Sequence, residues 1–360
     1  MKETSTVYDV AERAGVSTAT VSRVFSNSAT VRAQTRERVL NAAREMGYIS
    51  NSNARRLASR RHGKSSAFGV LGLCFPDHGD PNMEGNLIDA KTGEIELALY
   101  SDEVIRGMVR ASREHGYALL IASPLAGGPE GLVAKVAGHV DGFAVLAGTV
   151  PTEDLKVISR RLPVVVLAGP RAETDHLDYV HVAITEGELE LTRHLIVDHG
   201  HTSLAFIGGP AEFPDGEARF RGYQQALREA SLPVPVQPDL RGDLTRAAGQ
   251  AAISQLLARG TPLPRALVFA NDEMAIGALQ TLNSTGRHVP HDVAVVGFDG
   301  LPLSRLVQPS LTTVRQPIGR LGQEAVDLLT KRLTDRERKP VSVVLPVSVA
   351  RRESCGCVAG

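Results

Sequence analysis

The stretch VYDVAERAGVSTATVSRV, residues 7–24, decides the fold of the N-terminal part of this 360-residue chain. Its apolar residues recur at helical spacing on both sides of Gly15, which predicts two short helices. Glycine adopts a positive φ without steric cost, so Gly15 suits a tight turn between them. Ser17 offers an N-cap for the second helix, which we expect to run to about Phe25. The pattern is typical of a helix-turn-helix module.

A third helical face, formed by Val39, Ala42, Ala43 and Met46, completes the predicted module. A recognition helix that enters the major groove by its N-terminal end places its exposed side chains against base edges. We therefore predict base contacts from Thr18, Ala19 and Arg23, with Arg23 able to donate two hydrogen bonds to a guanine. Short polar side chains suit phosphate oxygens. The predicted phosphate contacts of this kind are Tyr8, Ser17, Thr20, Ser22, Thr35 and Tyr48.

Charge is distributed unevenly along the chain. Residues 1–64 carry a net charge of +7, whereas the whole chain sums to zero. Because the N-terminal part is basic and the rest of the chain is acidic, we expect only the N-terminal part to bind a polyanion such as DNA. The chain shows no apolar run long enough for a membrane span and no secretory signal. The three cysteines are an odd, sparse set, and the pair Cys355 and Cys357 lies too close along the chain for an easy mutual disulfide, which indicates a reducing compartment and a cytoplasmic protein.

From residue 67 onward, strand-like runs alternate with amphipathic stretches, which predicts an α/β core of two doubly wound parallel lobes. Strand-like runs lie at 68–75, 118–122, 143–146, 164–167, 204–207, 267–269 and 293–296, and helical stretches at 101–115, 186–199, 216–229, 246–258 and 273–285. Ligands of open α/β sheets bind beyond the carboxyl ends of the strands. The predicted effector contacts there are Phe75, Asp77, Arg219, Asn271, Asp272, Phe298 and Asp299. Asn271 and Asp272 equally suit the cap of the helix that follows them.

Catalytic and metal-binding motifs are absent from the sequence. Neither Gly-x-Ser-x-Gly nor His-Glu-x-x-His occurs, and metal ligands do not cluster along the chain. The segment His199-Gly200-His201 is interpreted as a helix end. We therefore expect no enzyme activity, no cofactor and no metal.

Residues 7–24 resemble the DNA-binding headpiece of the lactose-repressor (LacI/GalR) family, and residues 35–39 and 47–49 continue the match. In the core, residues 219–223, 269–278, 296–299 and 311–317 also resemble the family, so that the resemblance covers nearly the whole chain. It implies a homodimeric transcription regulator, expected to be a repressor, on an approximately palindromic operator. The implied core resembles periplasmic sugar-binding proteins, with a small effector, a sugar for example, between its lobes. By the same resemblance, Arg219, Asn271 and Asp299 contact the effector.

The resemblance also divides the chain. It implies a headpiece at 1–50, a hinge helix and linker at 51–66, and a tail at 354–360. The lobes interleave, with 67–200 and 315–340 in the first and 201–314 and 341–353 in the second. In the hinge, Leu57 is the implied wedge in the minor groove, with Ala54 and Arg55 beside it. Since Ser26 replaces a common family asparagine, Asn27 is expected to make the phosphate contact.

Two departures from the family pattern leave the effector open. Ala183 and Ile184 stand where the family often has Asp-Asn, so a sugar contact cannot be assumed. An insertion at about 78–100 is either a lid over the cleft or a disordered loop. A non-sugar effector, an activator, or an export-type binding protein with the same core fold remain the alternatives, as does the direction in which effector changes DNA affinity.

Overall fold

A computed structural model describes this chain at residues 6–25, 31–46, 69–75, 99–122, 136, 138–169, 177–211 and 213–358. The chain divides into two compact units, Met1–Gly69 and Val70–Gly360. The first contains the predicted helix-turn-helix module and the second contains the predicted α/β core.

In its described part the first unit consists of helices α1 (Val7–Ala14), α2 (Thr18–Phe25) and α3 (Ala33–Glu45). Their inward faces form one small apolar core of Val10, Ala11, Ala14, Val21, Val24, Val39, Ala42 and Ala43. Gly15 ends α1 with a φ of 61°, and its N–H group donates to the carbonyl oxygen of Glu12. The predicted turn is confirmed, and it places α2 against α1 with one face left to solvent.

The second unit holds twelve strands within the described residues. They are β1 (Gly69–Cys74), β2 (Tyr117–Ala122), β3 (Gly142–Leu146), β4 (Val164–Leu167), β5 (Asp178–Val182), β6 (Leu204–Gly208), β7 (Leu240–Arg241), β8 (Ala266–Phe269), β9 (Ala294–Asp299), β10 (Thr312–Arg315), β11 (Ser342–Leu345) and β12 (Ser348–Ala350). The helices between them are α4 (Leu99–Glu114), α5 (Thr152–Ser159), α6 (Ile184–Val197), α7 (Pro214–Glu229), α8 (Arg246–Ala258), α9 (Asp272–Ser284) and α10 (Ile318–Thr334).

These strands form two six-stranded sheets, which are the cores of two lobes. The first sheet has the order β11-β5-β4-β3-β1-β2 and the second has the order β12-β10-β9-β8-β6-β7. The central pairs are parallel, and β12 pairs antiparallel with β10. Central strands are buried on both faces, as β3, β4 and β9 are along their whole length. The predicted two-lobed, doubly wound architecture is confirmed.

The chain crosses between the lobes at positions that differ from the expected boundaries. Strand β5 lies in the first sheet, whereas α6 packs against α7 of the second lobe, so the first crossing lies at residue 183 and not at 200. Strand β11 lies in the first sheet and β12 in the second, which puts the last crossing at 346–347 instead of 340. The expected boundaries came from the family resemblance, and the sequence pattern did not correct the first of them because polar residues obscure the apolar run of β5. Its Asp178 is buried and accepts hydrogen bonds from Arg332 and Arg338.

Helices α6 and α7 approach each other closely at Gly222. A Cβ atom at this position would overlap the backbone carbonyl oxygen of Thr185. Only glycine permits this distance, and it fixes α7, which carries Arg219, against α6. None of the described helices combines the length and the apolar character that a membrane crossing requires.

Candidate DNA interface and effector cleft

The exposed face of α2 carries the predicted base-reading side chains. Ala19 and Arg23 are exposed, and Thr18 is half-buried, while Val21 and Val24 hold the helix against the core of the first unit. Ser17 caps the helix, since its hydroxyl oxygen accepts a hydrogen bond from the N–H group of Thr20 at 3.2 Å. The cap keeps the N-terminal turn of α2 intact at the end that would enter a groove.

The predicted phosphate contacts fall into three groups. Tyr8, Ser17 and Ser22 are exposed, and Tyr8 has 72% of its surface accessible. Thr20 and Thr35 are half-buried, and the Thr20 hydroxyl lies 2.9 Å from that of Ser17. Asn27 and Tyr48 lie outside the described residues, as do the hinge residues predicted to contact the minor groove, Ala54, Arg55 and Leu57.

A capping box at the start of α1 was not predicted. Thr6 caps the helix, and its backbone N–H donates to the carboxylate of Asp9 at 2.6 Å. This hydrogen bond lowers the pKa of Asp9, so the carboxylate stays ionised beside the positive end of the helix dipole. The signal was present in the sequence, because Thr-x-x-Asp before an apolar run approximates the capping-box pattern.

In the second unit, Arg219 and Asp299 meet at the carboxyl ends of the second sheet. Arg219 lies on α7, Asp299 ends β9, and both are almost completely buried. The Arg219 guanidinium donates to the carbonyl oxygen of Ala270 and to Oδ1 of Asp299, the latter at 3.4 Å. It also lies 4.2 Å from the centre of the Phe298 ring. The predicted grouping of Arg219, Phe298 and Asp299 is thus present in the structure.

Gln316 and Asp215 extend this group, and sequence reasoning missed both. Gln316 Nε2 donates to Asp299 Oδ1 at 2.7 Å, from a segment that leads towards the first lobe. Asp215, in the first turn of α7, accepts a hydrogen bond at 2.9 Å from the N–H group of Gly169, which follows β4 of the first lobe. Both residues therefore mark the place where the two lobes meet.

Burial sets the charge state of these carboxyl groups. It raises the pKa of Asp299 to about 7, against the opposing attraction of Arg219 and the hydrogen bond from Gln316. Burial also raises the pKa of Asp215, again opposed by Arg219. Within the described chain, Nε of Arg219 has no hydrogen-bond partner, although it is buried. An unsatisfied donor beside two carboxyl groups is suited to a small polar ligand that brings its own acceptors and hydroxyl donors.

A cavity of about 450 Å³ lies beside this group, where the chain crosses between the lobes. Gln316 belongs to its lining and also contacts Asp299, so that the cavity and the buried carboxyl group share one side chain. Its other lining residues come from both lobes and include Glu103, Arg315, Pro317 and Pro346.

Two predicted effector contacts, Asn271 and Asp272, have structural roles in the second lobe. Asn271 caps α9, since its Oδ1 accepts from the N–H group of Met274 at 3.0 Å, which confirms the alternative interpretation. Asp272 is completely buried and accepts hydrogen bonds from Leu301 N–H and the Thr313 hydroxyl. Both of its oxygens accept hydrogen bonds inside the second lobe, and its contact with an effector stays a prediction.

Of the remaining predicted effector residues, Phe75 is half-buried at the end of β1 and packs against the largest apolar cluster of the core. Asp77 and the insertion at about 78–100 lie outside the described residues, apart from Leu99 and Tyr100 at the start of α4. Tyr100 was not predicted. Burial and the neighbouring Asp215 and Asp299 raise the pKa of its hydroxyl, which keeps that hydroxyl protonated beside the two carboxyl groups.

Family comparisons match both units of the chain. The family described as bacterial regulatory proteins, lacI family, matches residues 6–51. The family described as periplasmic binding protein-like domain matches residues 192–355.

Characterised relatives match nearly the whole length. Catabolite control protein A of Priestia megaterium is 32% identical over 353 residues, which cover 97% of this chain and 98% of that protein. The HTH-type transcriptional repressor CytR of Escherichia coli K12 is 33% identical over 328 residues, covering 90% and 89%.

Two solved structures also match this chain over nearly its whole length. The lac repressor dimer bound to operator and the anti-inducer ONPF has a TM-score of 0.77 and 27% identity, and the match covers 98% of this chain and 99% of that one. The complex of the transcriptional regulator CelR with cellobiose has a TM-score of 0.68 and 29% identity, covering 97% and 99%.

Proposed function

Because the chain belongs to the LacI family of bacterial regulatory proteins, we propose that it is an operator-binding repressor whose DNA affinity is set by a small effector held at Arg219 and Asp299. The DNA-binding part of this proposal is supported by the side chains on the exposed face of α2. Ala19 and Arg23 face solvent on a capped helix within a basic segment of the chain. Thr18, half-buried beside them, completes the proposed base-reading set.

A homodimer supplies the symmetry that this mode of reading requires. One headpiece contacts only a few base pairs, so two copies on a two-fold axis read an approximately palindromic operator. The lac repressor, a structural relative, is a dimer on its operator. Since operators lie on the bacterial chromosome, the proposed function implies a cytoplasmic location.

The proposed effector is a small molecule rich in hydroxyl groups. Asp299 and Asp215 offer acceptor oxygens, and Arg219 offers a donor without a partner. Such a set binds the hydroxyls of a sugar or of a nucleoside. The related CelR structure contains cellobiose. Catalysis is not part of the proposal, because the relatives are regulators.

The direct test uses the purified full-length chain and a library of random duplex DNA. Repeated selection is expected to enrich one approximately palindromic site. A panel of sugars and nucleosides is then screened by thermal shift, and an effector that binds is expected to change operator affinity by about 5–150-fold. A library that remains random after selection, with and without the panel, would contradict the proposed function.

A further inference from the structure

Two histidines and two cysteines meet at the end of α6, away from Arg219 and Asp299. His194 lies in the last turn of α6, and His199 follows shortly after the helix. Cys355 lies in a short 3-10 turn near the end of the chain, and Cys357 comes two residues later. One ligand atom from each of the four side chains lies within 4.8 Å of the other three. In the described part of the chain, no other group of three or more potential ligands comes together in this way.

The distances between these atoms match a tetrahedral zinc site. Zinc bonds of about 2.0–2.1 Å to nitrogen and 2.3 Å to sulfur place tetrahedral ligands about 3.3 Å apart for two nitrogens and about 3.5 Å for nitrogen and sulfur. Nε2 of His194 lies 3.2 Å from Nε2 of His199 and 3.5 Å from Sγ of both Cys355 and Cys357. The distance from Nε2 of His199 to Sγ of Cys357 is 3.4 Å. The two remaining pairs, His199 with Cys355 and Cys355 with Cys357, lie within 4.8 Å, so that a single ion can be placed among the four atoms.

The residues around the cluster orient its ligands. Oδ2 of Asp198 lies 2.6 Å from Nδ1 of His194, so Nδ1 carries the proton and Nε2 is left with a lone pair towards the cluster. A carboxylate on the far nitrogen is the usual partner of a zinc-binding histidine. The hydroxyl of Thr312 lies 3.0 Å from Sγ of Cys355 and 3.0 Å from the carbonyl oxygen of Arg352, so that it can donate to the sulfur once that sulfur is a thiolate ligand.

The backbone brings the two cysteines to the same point. Ser354, between α6 and the second sheet, donates its hydroxyl to the Val295 carbonyl oxygen and accepts from Thr312 N–H. Gly356 has a φ of 101°, which turns the chain so that both Cys355 and Cys357 face the histidines. The positions are therefore fixed by hydrogen bonds that do not involve the proposed ion.

We propose that His194, His199, Cys355 and Cys357 bind one structural zinc ion. Two cysteines and two histidines form a donor set that zinc prefers, and four protein ligands leave no open position for a substrate. The ion fastens the C-terminal segment to α6. Because α6 packs against α7, the proposed site also supports the helix that carries Arg219 and Asp215.

The test measures metal in the untagged full-length chain, purified under reducing conditions. Mass spectrometry of the metal content is expected to find about one zinc per chain. Replacement of zinc by cobalt is expected to give the intense visible bands of a tetrahedral site and a thiolate-to-cobalt charge-transfer band. Removal of the ion by a strong chelator is expected to lower the melting temperature of the core by roughly 5 °C.

Single substitutions distinguish the proposed zinc ligands from other histidine and cysteine residues of the chain. Cys357→Ser and His199→Asn are expected to lower the zinc content at least about tenfold, and Asp198→Asn to weaken zinc affinity about 10–100-fold. Cys74→Ala removes a buried thiol of the first lobe, and His201→Asn removes a histidine next to the cluster that is not a ligand. Both controls are expected to keep their zinc.

Either of two results would overturn the proposal. One is a folded chain, by circular dichroism, that binds no zinc or cobalt at equimolar concentration. The other is ligand variants that retain as much zinc as the two controls. Selection of operator DNA by the same samples is independent of these results, because the headpiece contains none of the four ligands. Loss of zinc and loss of the proposed function are therefore distinguishable.

Discussion

The DNA-reading helix and the effector cleft differ in how their residues are assembled. Thr18, Ala19 and Arg23 lie on one eight-residue helix, and a local turn positions them. Arg219 and Asp299 lie 80 positions apart and meet only because α7 and β9 belong to the same lobe. The first site depends on helix caps and a small apolar core, whereas the second depends on the packing of a complete lobe. Substitutions in the cleft should therefore affect the stability of the core, whereas substitutions of the exposed residues Ala19 and Arg23 of α2 should affect mainly DNA reading.

The largest effect is expected for Arg219→Ala. The variant removes the charged partner of buried Asp299, which is expected to cost about 3–5 kcal/mol of unfolding free energy at a pH above about 7, where this carboxyl group is ionised. Chemical denaturation of the full chain measures this loss, and effector-dependent release or strengthening of operator binding is expected to disappear. The control is Arg221→Ala, an exposed arginine two residues along α7. Equal stability of the two variants would refute the role assigned to the buried pair.

A smaller effect is expected from pH, through Glu188 on α6. This side chain is completely buried, and burial raises its pKa to about 8, although hydrogen bonding by Thr192 opposes the rise. The folded chain therefore retains a proton that the unfolded chain releases above its ordinary pKa near 4.5. Stability should fall as the pH rises from about 5 to about 8, by an amount on the order of 2–4 kcal/mol.

Glu188→Gln checks this prediction because it removes the titrating group and keeps the size of the side chain. Denaturation curves of the variant are expected to show a smaller decline with pH, and the part that remains comes from other buried carboxyl groups such as Asp299, whose pKa is raised to about 7. Glu190→Gln, an exposed change on the same helix, should preserve it. A wild-type protein whose stability rises over this pH range would contradict a protonated Glu188.

The close contact between α6 and α7 predicts a third effect. Gly222→Ala places a methyl group against the Thr185 carbonyl, which should cost about 1–3 kcal/mol as the helices move apart. Gly216→Ala on the same helix meets no atom closer than 3.9 Å and should leave stability unchanged or slightly higher. Thermal melts that fail to separate these two variants would show that the contact does not hold α7 in place.

Sequence reasoning was strongest where structure is local. Gly15, Ser17 and the apolar face of α3 were identified correctly because caps, turns and helical periodicity depend on near neighbours. The alternation of strands and helices likewise sufficed for the two-lobed fold. Strand β5 was missed because it begins at the charged Asp178 and His181 interrupts its apolar pattern, and the arginines that pair with the buried Asp178 lie more than 150 positions away.

The cleft and the histidine–cysteine cluster could be predicted only in part. Arg219 and Asp299 were found through strand ends and family resemblance, but Gln316 and Asp215 carry no local signal for the contacts they make. The same reason explains why no metal was expected. His194 and Cys355 are 161 positions apart, and only the folded second lobe brings them together.

The central claim is that α2 reads bases, and Arg23→Ala tests it most directly. Selected operator DNA is compared for the wild-type and variant proteins at one fixed salt concentration, with Arg13→Ala, which loses an ion pair to Glu45, as the control. The variant is expected to lose about 1–3 kcal/mol of discrimination at a single guanine position, while other positions keep their preferences. Selection of the same site with undiminished preference at every position would contradict base reading by this helix.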